Sequence, residues 1–231
     1  MIEEADTRIE KRKRILIIVR WPVGGINTYL RYVYGDHLFA AYQLVILVPN
    51  VEEVKDLHKE MQQENIEIRS AGDGIVGFNK SIWMNLISGH FDIVHSHGFS
   101  SGLLAVVPAR IMGVKHIVTA HDIFDERQFQ GFRGRIKQWT IGCLLSLVDV
   151  VQPVSHGAAR NLLEFMPVLR KRAESRVVTI INGIDLARFQ GNEIRDLHSE
   201  FGLDKNVFLI GFMGRFMSQK GFTYLVQAVE K

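Results

Sequence analysis

From residue 14 onward, short apolar runs alternate with segments whose apolar residues recur every three or four positions. The runs RILIIVR (14–20), QLVILVP (43–49), IEIRS (66–70), FDIVHSH (91–97), KHIVTAH (115–121), DVVQPVS (149–155) and RVVTIIN (176–182) are rich in β-branched residues and too short for helices. They read as strands, most of them covered on both faces. Between the first two, Ile26, Tyr29, Leu30 and Val33 follow i, i+3, i+4, i+7 and predict a helix with one buried stripe. Similar stripes run through 53–64, 100–112 and 133–148. Strands and helices in this alternation predict an α/β fold with a doubly wound, mostly parallel, Rossmann-like sheet. In such a sheet ligands sit beyond the carboxyl ends of the strands.

The pattern is interrupted at FQGNEIRDLHSEFGLDKN, residues 189–206, where polar residues dominate and a short helix has room to end at Gly202. VFLIGFMGR then restarts the strand pattern and GFTYLVQAVEK the helical one. The expected organisation is an N-terminal tail over 1–13, one large domain over 14–189, a linker over 190–206, and the first strand and helix of a further domain over 207–231. One strand and one helix bury too little apolar surface to stand alone.

Composition narrows this picture modestly. With 231 residues, 47% of them hydrophobic, and a formal charge of +3, the chain has the makeup of an ordinary globular protein. No whole-molecule field demands a nucleic-acid partner. A single cysteine, Cys143, excludes an internal disulfide framework and fits a reducing compartment, so a cytoplasmic location is expected. The opening MIEEADTRIEKRKR lacks the apolar segment of a secretory signal. The most apolar later stretch, IGCLLSLVDVV, carries Asp149 and falls well short of the roughly 20 residues of a membrane-spanning helix.

Candidate chemistry gathers at strand ends. In RWPVGGINTYL, Gly24 and Gly25 let the backbone approach a ligand, and the helix start behind them favours an anion such as a diphosphate; a tight strand-to-helix turn also requires glycine. His97 and His121 each close a strand and so face the ligand crevice. His95 and His97, two apart, share a face; they form either half of a metal pair or an interior residue followed by a strand cap. Asp122, Asp125 and Glu126 either chelate a cation or solvate a loop, and Ser155 reads as a helix N-cap. In GRFMSQKG, Arg215 and Lys220 flank a turn, either as a diphosphate clamp or as solvated cations. The segment 127–147 carries Arg127, Arg133, Arg135 and Lys137 without an acid, followed by Trp139. It is either a crossover helix whose apolar face is core or an amphipathic contact for an anionic membrane surface.

Taken in order, GGINTYLRYV, FDIVHSHG, HIVTAHD, VSHGAARNLL, IINGIDLARF and GFMGRFMSQKG resemble motifs of the retaining glycosyltransferases of family four, which have the two-domain GT-B architecture. The resemblance covers most of the chain. It implies transfer of a sugar from a nucleotide diphosphate sugar to a carbohydrate or lipid-linked acceptor, with retained anomeric configuration and without a metal or other cofactor. It places Gly24, Gly25, Arg215 and Lys220 at the donor phosphates and His121 at the donor sugar. His97, Ser155 and Asn182 would line the cleft. The family's Glu-x7-Glu donor motif has no counterpart among the 11 residues after Lys220, so the resemblance implies the acceptor-side half plus the opening of the donor half, poorly active alone. Two other readings use the same residues: a non-catalytic Rossmann-like module binding an anionic ligand or surface, and a sugar-nucleotide epimerase of the same architecture.

Overall fold

The computed structural model describes residues 12–52, 54–190, 195–214, 216 and 220–230. The chain divides into two compact units, Met1–Gly183 and Ile184–Lys231. The division falls after Gly183, six residues before the end of the domain expected at 189.

The first unit is built on six strands: β1 (Arg14–Val19), β2 (Gln43–Pro49), β3 (Ile66–Ala71), β4 (Ile93–His97), β5 (Lys115–Ala120) and β6 (Val150–Pro153). Their order across the sheet is β3-β2-β1-β4-β5-β6, and every pairing is parallel. The winding therefore reverses between β1 and β4, the switch point at which a crevice opens beyond the strand ends. Among the described residues seven α-helices join and follow the strands: α1 (Gly25–Tyr34), α2 (Val54–Glu60), α3 (Gly74–Gly89), α4 (Phe99–Ile111), α5 (Gly131–Leu145), α6 (His156–Phe165) and α7 (Pro167–Ala173). Of these, α3 carries no stripe singled out in the sequence.

Alternation along the strands sorts the core into layers. Ile15, Ile17 and Val19 of β1 and Leu44, Ile46 and Val48 of β2 pack with Leu30 and Tyr34 of α1 and Leu57 of α2. The intervening Leu16, Ile18, Val45 and Leu47 face the other way, onto Phe78, Ile82 and Leu86 of α3 and Ala105 and Ala109 of α4. A third cluster joins Val118 and Val151 to Ile141 and Leu145 of α5, Leu162 of α6 and Leu169 of α7. Register then dictates what lies on the α1 face of the remaining strands. Ile17 and Val19 pair with His95 and His97, which pair with Ile117 and Thr119, and Thr119 pairs with Gln152. The face that is apolar on β1 and β2 thus turns polar on β4, β5 and β6.

The strand expected over 176–182 is not formed. Val177 makes one parallel bridge with Val151, and the N–H groups of Val178, Ile180 and Asn182 donate to the carbonyls of Val151, Pro153 and Val154. A parallel ladder also needs the return bond from residue 153, and Pro153 has no N–H to give. The segment runs as extended chain along the edge of β6, with Ile180 and Ile181 exposed.

The second unit contains α8 (Leu197–Phe201), which ends at Gly202 in the left-handed conformation, and α9 (Phe222–Val229). The strand expected from 207 is absent among the described residues, since a lone extended segment has no partner there to complete its backbone bonds. Phe212, Phe216 and Phe222 pack ring against ring, with centroids 4.8–5.8 Å apart, yet none of the unit's described residues is buried.

Candidate active site

The candidate site is assembled at the carboxyl ends of β1, β4, β5 and β6. After β1 the chain turns through Gly24, whose φ of 56° lies in the left-handed region, and enters α1. Gly24 offers no side-chain cap to the helix, and a Cβ built on either Gly24 or Gly25 meets nothing within 4 Å. The start of α1 is therefore open beside both glycines, and although the Ile26 N–H donates to the Val23 carbonyl, the positive end of the helix dipole there favours an anion. Arg20 stands at the same strand end, its backbone N–H held by the Ser101 hydroxyl at 2.9 Å and its guanidinium 5.1 Å from the Trp21 ring.

One turn into α1, Tyr29 brings its ring to 5.1 Å from both His97 and His121, edge-on to the latter. His121 follows β5 directly, and its Nε2 lies 2.9 Å from Nδ1 of the buried His97. His97 Nε2 is 2.7 Å from the hydroxyl of buried Tyr34, which is also 2.7 Å from His95 Nδ1. His95 Nε2 in turn meets the Thr119 hydroxyl at 2.7 Å, and Thr119 donates to Gln152 Oε1 at 3.3 Å. His95 and His97 stack with centroids 4.6 Å apart, so they do share a face, and a tyrosine joins them. Among the described residues no group of three or more His, Cys, Asp or Glu is placed to hold a metal ion.

Burial governs the charge of this array. It pushes the His121 pKa down to about 4, partly offset by the neighbouring Asp122, and that of His95 to about 3. His97 is likewise lowered well below its ordinary value, and the Tyr34 phenol is raised well above its own, again chiefly by burial. The rings are neutral near pH 7, so they exchange hydrogen bonds without acting as fixed cations. His116, also lowered to about 4 by burial, sits at the opposite end of β5 and bonds Ser96, outside the array.

Other sequence candidates take simpler places. Ser155 ends the β6 connection and caps α6, accepting from the Ala158 N–H at 3.0 Å. Asn182 lies beside it on the edge segment, its backbone N–H on Val154. Asp125 caps the short turn Glu126–Phe129, and Asp122 and Glu126 are exposed. The loop between is fastened at Phe124, whose N–H and C=O both bond the Asn161 side chain, at 2.7 and 3.0 Å. Lys220 belongs to the second unit, and Arg215 lies outside the described residues. Sequence reasoning missed Tyr34, Thr119 and Gln152. For Thr119 and Gln152 the available signal was a polar residue within an otherwise apolar strand, two positions from a histidine in the case of Thr119, whereas Tyr34 closes helix α1 and carried no such signal.

A parallel sheet wound 3-2-1-4-5-6, with an open glycine turn and neutral polar side chains at its switch point, defines a doubly wound, Rossmann-like α/β domain. Residues 23–188 match the model of Glycosyltransferase Family 4. The chain belongs to that family, and the match contains Gly24, Gly25, His97, His121, Ser155 and Asn182. Alpha-maltose-1-phosphate synthase of Mycolicibacterium smegmatis is 30% identical over 146 residues, covering 60% of this chain and 37% of that protein. D-inositol 3-phosphate glycosyltransferase of Frankia alni is 26% identical, covering 61% of this chain and 35% of that protein. The chain thus spans little more than a third of the length of these relatives. Among solved structures, HepE of Anabaena in complex with UDP-glucose superposes with a TM-score of 0.72 at 15% identity, over 94% of this chain and 57% of that one. A UDP-N-acetylglucosamine 2-epimerase of Rickettsia bellii superposes at 0.56 and 13% identity, over 84% of this chain and 52% of that one, a likeness of fold alone.

Proposed function

We propose that this chain forms the acceptor-side part of a retaining glycosyltransferase that moves a sugar from a nucleotide diphosphate sugar to a carbohydrate or lipid-linked acceptor. The observation that carries the reading is the meeting of His121 with α1, one turn beyond the open glycine turn, in a chain of this family. Backbone amides at Gly24 and Gly25 would receive the donor phosphates, and the neutral His121 would hydrogen-bond the donor sugar without competing for the diphosphate charge. Arg215 and Lys220 would neutralise the leaving diphosphate, the kind of stabilisation that carries much of such a reaction. His97 supports His121 from behind, and Ser155 and Asn182 shape the far wall of the cleft. The chemistry asks for no cofactor.

UDP-glucose, titrated into ¹⁵N-labelled chain, tests the site. Saturable shifts at the amides of Gly24, Gly25 and His121 are expected; saturable binding that leaves these three unmoved removes the assignment. Retention is read on the full-length enzyme, where an α-linked donor should yield an α-linked product.

A membrane-facing role for α5 is part of the same proposal. Phe132, Ile136 and Trp139, spaced i, i+4, i+7, are exposed along one stripe, 78, 49 and 60% respectively, while Gly134, Ile141, Gly142 and Leu145 are buried. Arg133, Arg135 and Lys137 are exposed among them, which suits an anionic lipid surface. Vesicles containing anionic lipid should retain the protein and neutral vesicles should not. Retention that survives neutralising all three cations would remove this part of the reading.

A further inference from the structure

We propose that His95, His97 and His121 share one tautomer, selected at the buried end of their chain by Gln152, so that His121 offers an unprotonated Nδ1 as hydrogen-bond acceptor to a ligand hydroxyl. Only the nature of that ligand rests on the transferase reading.

The inference follows from counting protons. The Tyr34 hydroxyl lies 2.7 Å from His95 Nδ1 and 2.7 Å from His97 Nε2 and has one proton. It donates to one nitrogen and must accept from the other. If it donates to His95 Nδ1, then His95 carries its proton on Nε2 and donates to Thr119. On the other side His97 then donates from Nε2 to the tyrosine oxygen, leaving its Nδ1 bare, and His121 must donate to it from Nε2. If the tyrosine proton points the other way, every step reverses and all three rings carry the proton on Nδ1. Mixed states leave two protons or two lone pairs facing each other at under 3 Å, in a place where an unmade buried hydrogen bond costs on the order of 1–3 kcal/mol.

With its amide oxygen toward Thr119 and its amide nitrogen toward Tyr29, Gln152 sets the direction. Its Oε1 faces the Thr119 hydroxyl at 3.3 Å, and its Nε2 faces the Tyr29 hydroxyl at 3.5 Å. A carbonyl oxygen can only accept, so Thr119 donates to it and is left to accept from His95 Nε2. The direction then propagates through His95, Tyr34 and His97 to His121, whose Nε2 is committed inward. Nδ1 is the one ring nitrogen left for a ligand, and it is an acceptor. Burial, which keeps these rings neutral, supplies the condition under which the count holds. Tyr34 and Gln152 are accordingly positioning residues, acting on the ligand through His121.

Long-range ¹H–¹⁵N correlation spectra of the histidine-labelled chain at pH 7.5 read each ring's tautomer directly. All three rings are expected in the Nε2–H form; any one of them in the Nδ1–H form overturns the proposal, and this spectrum needs no variant to fold. Gln152→Leu removes the selector and should give mixtures with equal Nδ1–H fractions in the three rings, whereas a His121 still wholly Nε2–H would overturn the role of Gln152. Tyr34→Phe should let the fraction at His95 part from those at His97 and His121, and continued equality in mixed populations would overturn the coupling. Added UDP-glucose should move the His121 Nδ1 resonance and leave its tautomer unchanged. Movement of the Gly24 and Gly25 amides without movement at Nδ1 would overturn hydroxyl recognition. Stillness at all three counts against the transferase reading and leaves the tautomer result as the first spectrum gives it.

Discussion

Lowering the pH from 7 to 5 asks four imidazoles, the buried His97 and His116 and the half-buried His95 and His121, to accept protons that the folded protein resists. Each has a folded pKa depressed below the ordinary 6.5, to about 4 for His116 and His121, about 3 for His95, and well below 6.5 for His97. The sign follows directly: an unfolded chain takes up these protons near pH 6.5 and the folded one does not, so stability is complete above pH 6.5 and is lost as pH falls toward the folded values. A histidine shifted from 6.5 to 4 loses about 2 kcal/mol between pH 7 and pH 5, since one pKa unit corresponds to roughly 1.4 kcal/mol. The three with such values, His95, His116 and His121, together lose about 5–6 kcal/mol, a large share of the 5–15 kcal/mol typical of a folded domain, and His97 acts in the same direction. The values of about 4 for His121 and His116 already include the opposing pull of Asp122 and Asp149.

Urea unfolding followed by circular dichroism, at fixed ionic strength and half-unit steps from pH 7.5 to 4.5, measures the effect. Stability should be level above about pH 7 and fall near pH 5 with a slope approaching three protons from His95, His116 and His121, about 4 kcal/mol per pH unit, with His97 steepening it further. His116→Gln should reduce that slope by about one proton, because His116 hydrogen-bonds Ser96 and none of the other three rings, and its Nδ1 has no partner. A slope below about one proton between pH 6.5 and 5 would refute the claim that these rings are held neutral.

Three further outcomes test the frame around the site. Gly102→Ala would drive a Cβ to 2.8 and 2.9 Å from the methyls of Val118, where α4 crosses β5, and should cost about 1–3 kcal/mol in chemical denaturation. Ser155→Ala removes the cap of α6 and should cost about 1 kcal/mol, with faster hydrogen exchange at the Ala158 amide; an unchanged rate there would contradict the capping bond. Asn161→Ala removes both bonds to the Phe124 backbone and should cost roughly 2 kcal/mol, at about 1 kcal/mol for each bond, with exchange at the Phe124 amide as the local readout.

Strand positions and the parallel winding were legible because a strand covered on both faces must be apolar at nearly every position, a signal that does not depend on neighbours. The same signal misled at RVVTIIN, whose residues have strand character but whose partner offers Pro153 in place of a donor. At VFLIGFMGR the pattern again indicated a strand, and pairing, which a single segment cannot specify, was what failed. In the site, His97 and His121 were visible as polar residues closing apolar runs. Tyr34 was not, because it lies at the end of a helix as an ordinary amphipathic residue, and only the register that sets β4 beside β1 brings it under both histidines. Thr119 and Gln152 required the further knowledge that β5 and β6 are neighbours.

That register also explains why the polar array falls where it does. On the α1 face, β1 and β2 present aliphatic residues that hold α1 and α2 in place, so the helix is fixed by apolar contacts on one side of the switch point. On the other side the strands present His95, His97, Thr119 and Gln152, which α1 covers with two tyrosines. Tyrosine serves both needs, since its ring adds apolar area and its hydroxyl satisfies groups that leucine would leave bare. The buried array is a cost in acid, as the pH argument shows, and it stabilises the fold only while every link is made. A leucine at 34 would pack comparably against Phe39 but would strand both His95 Nδ1 and His97 Nε2. What the array gives in return is direction: a chain of neutral donors and acceptors beginning inside the sheet at Gln152 and ending at His121.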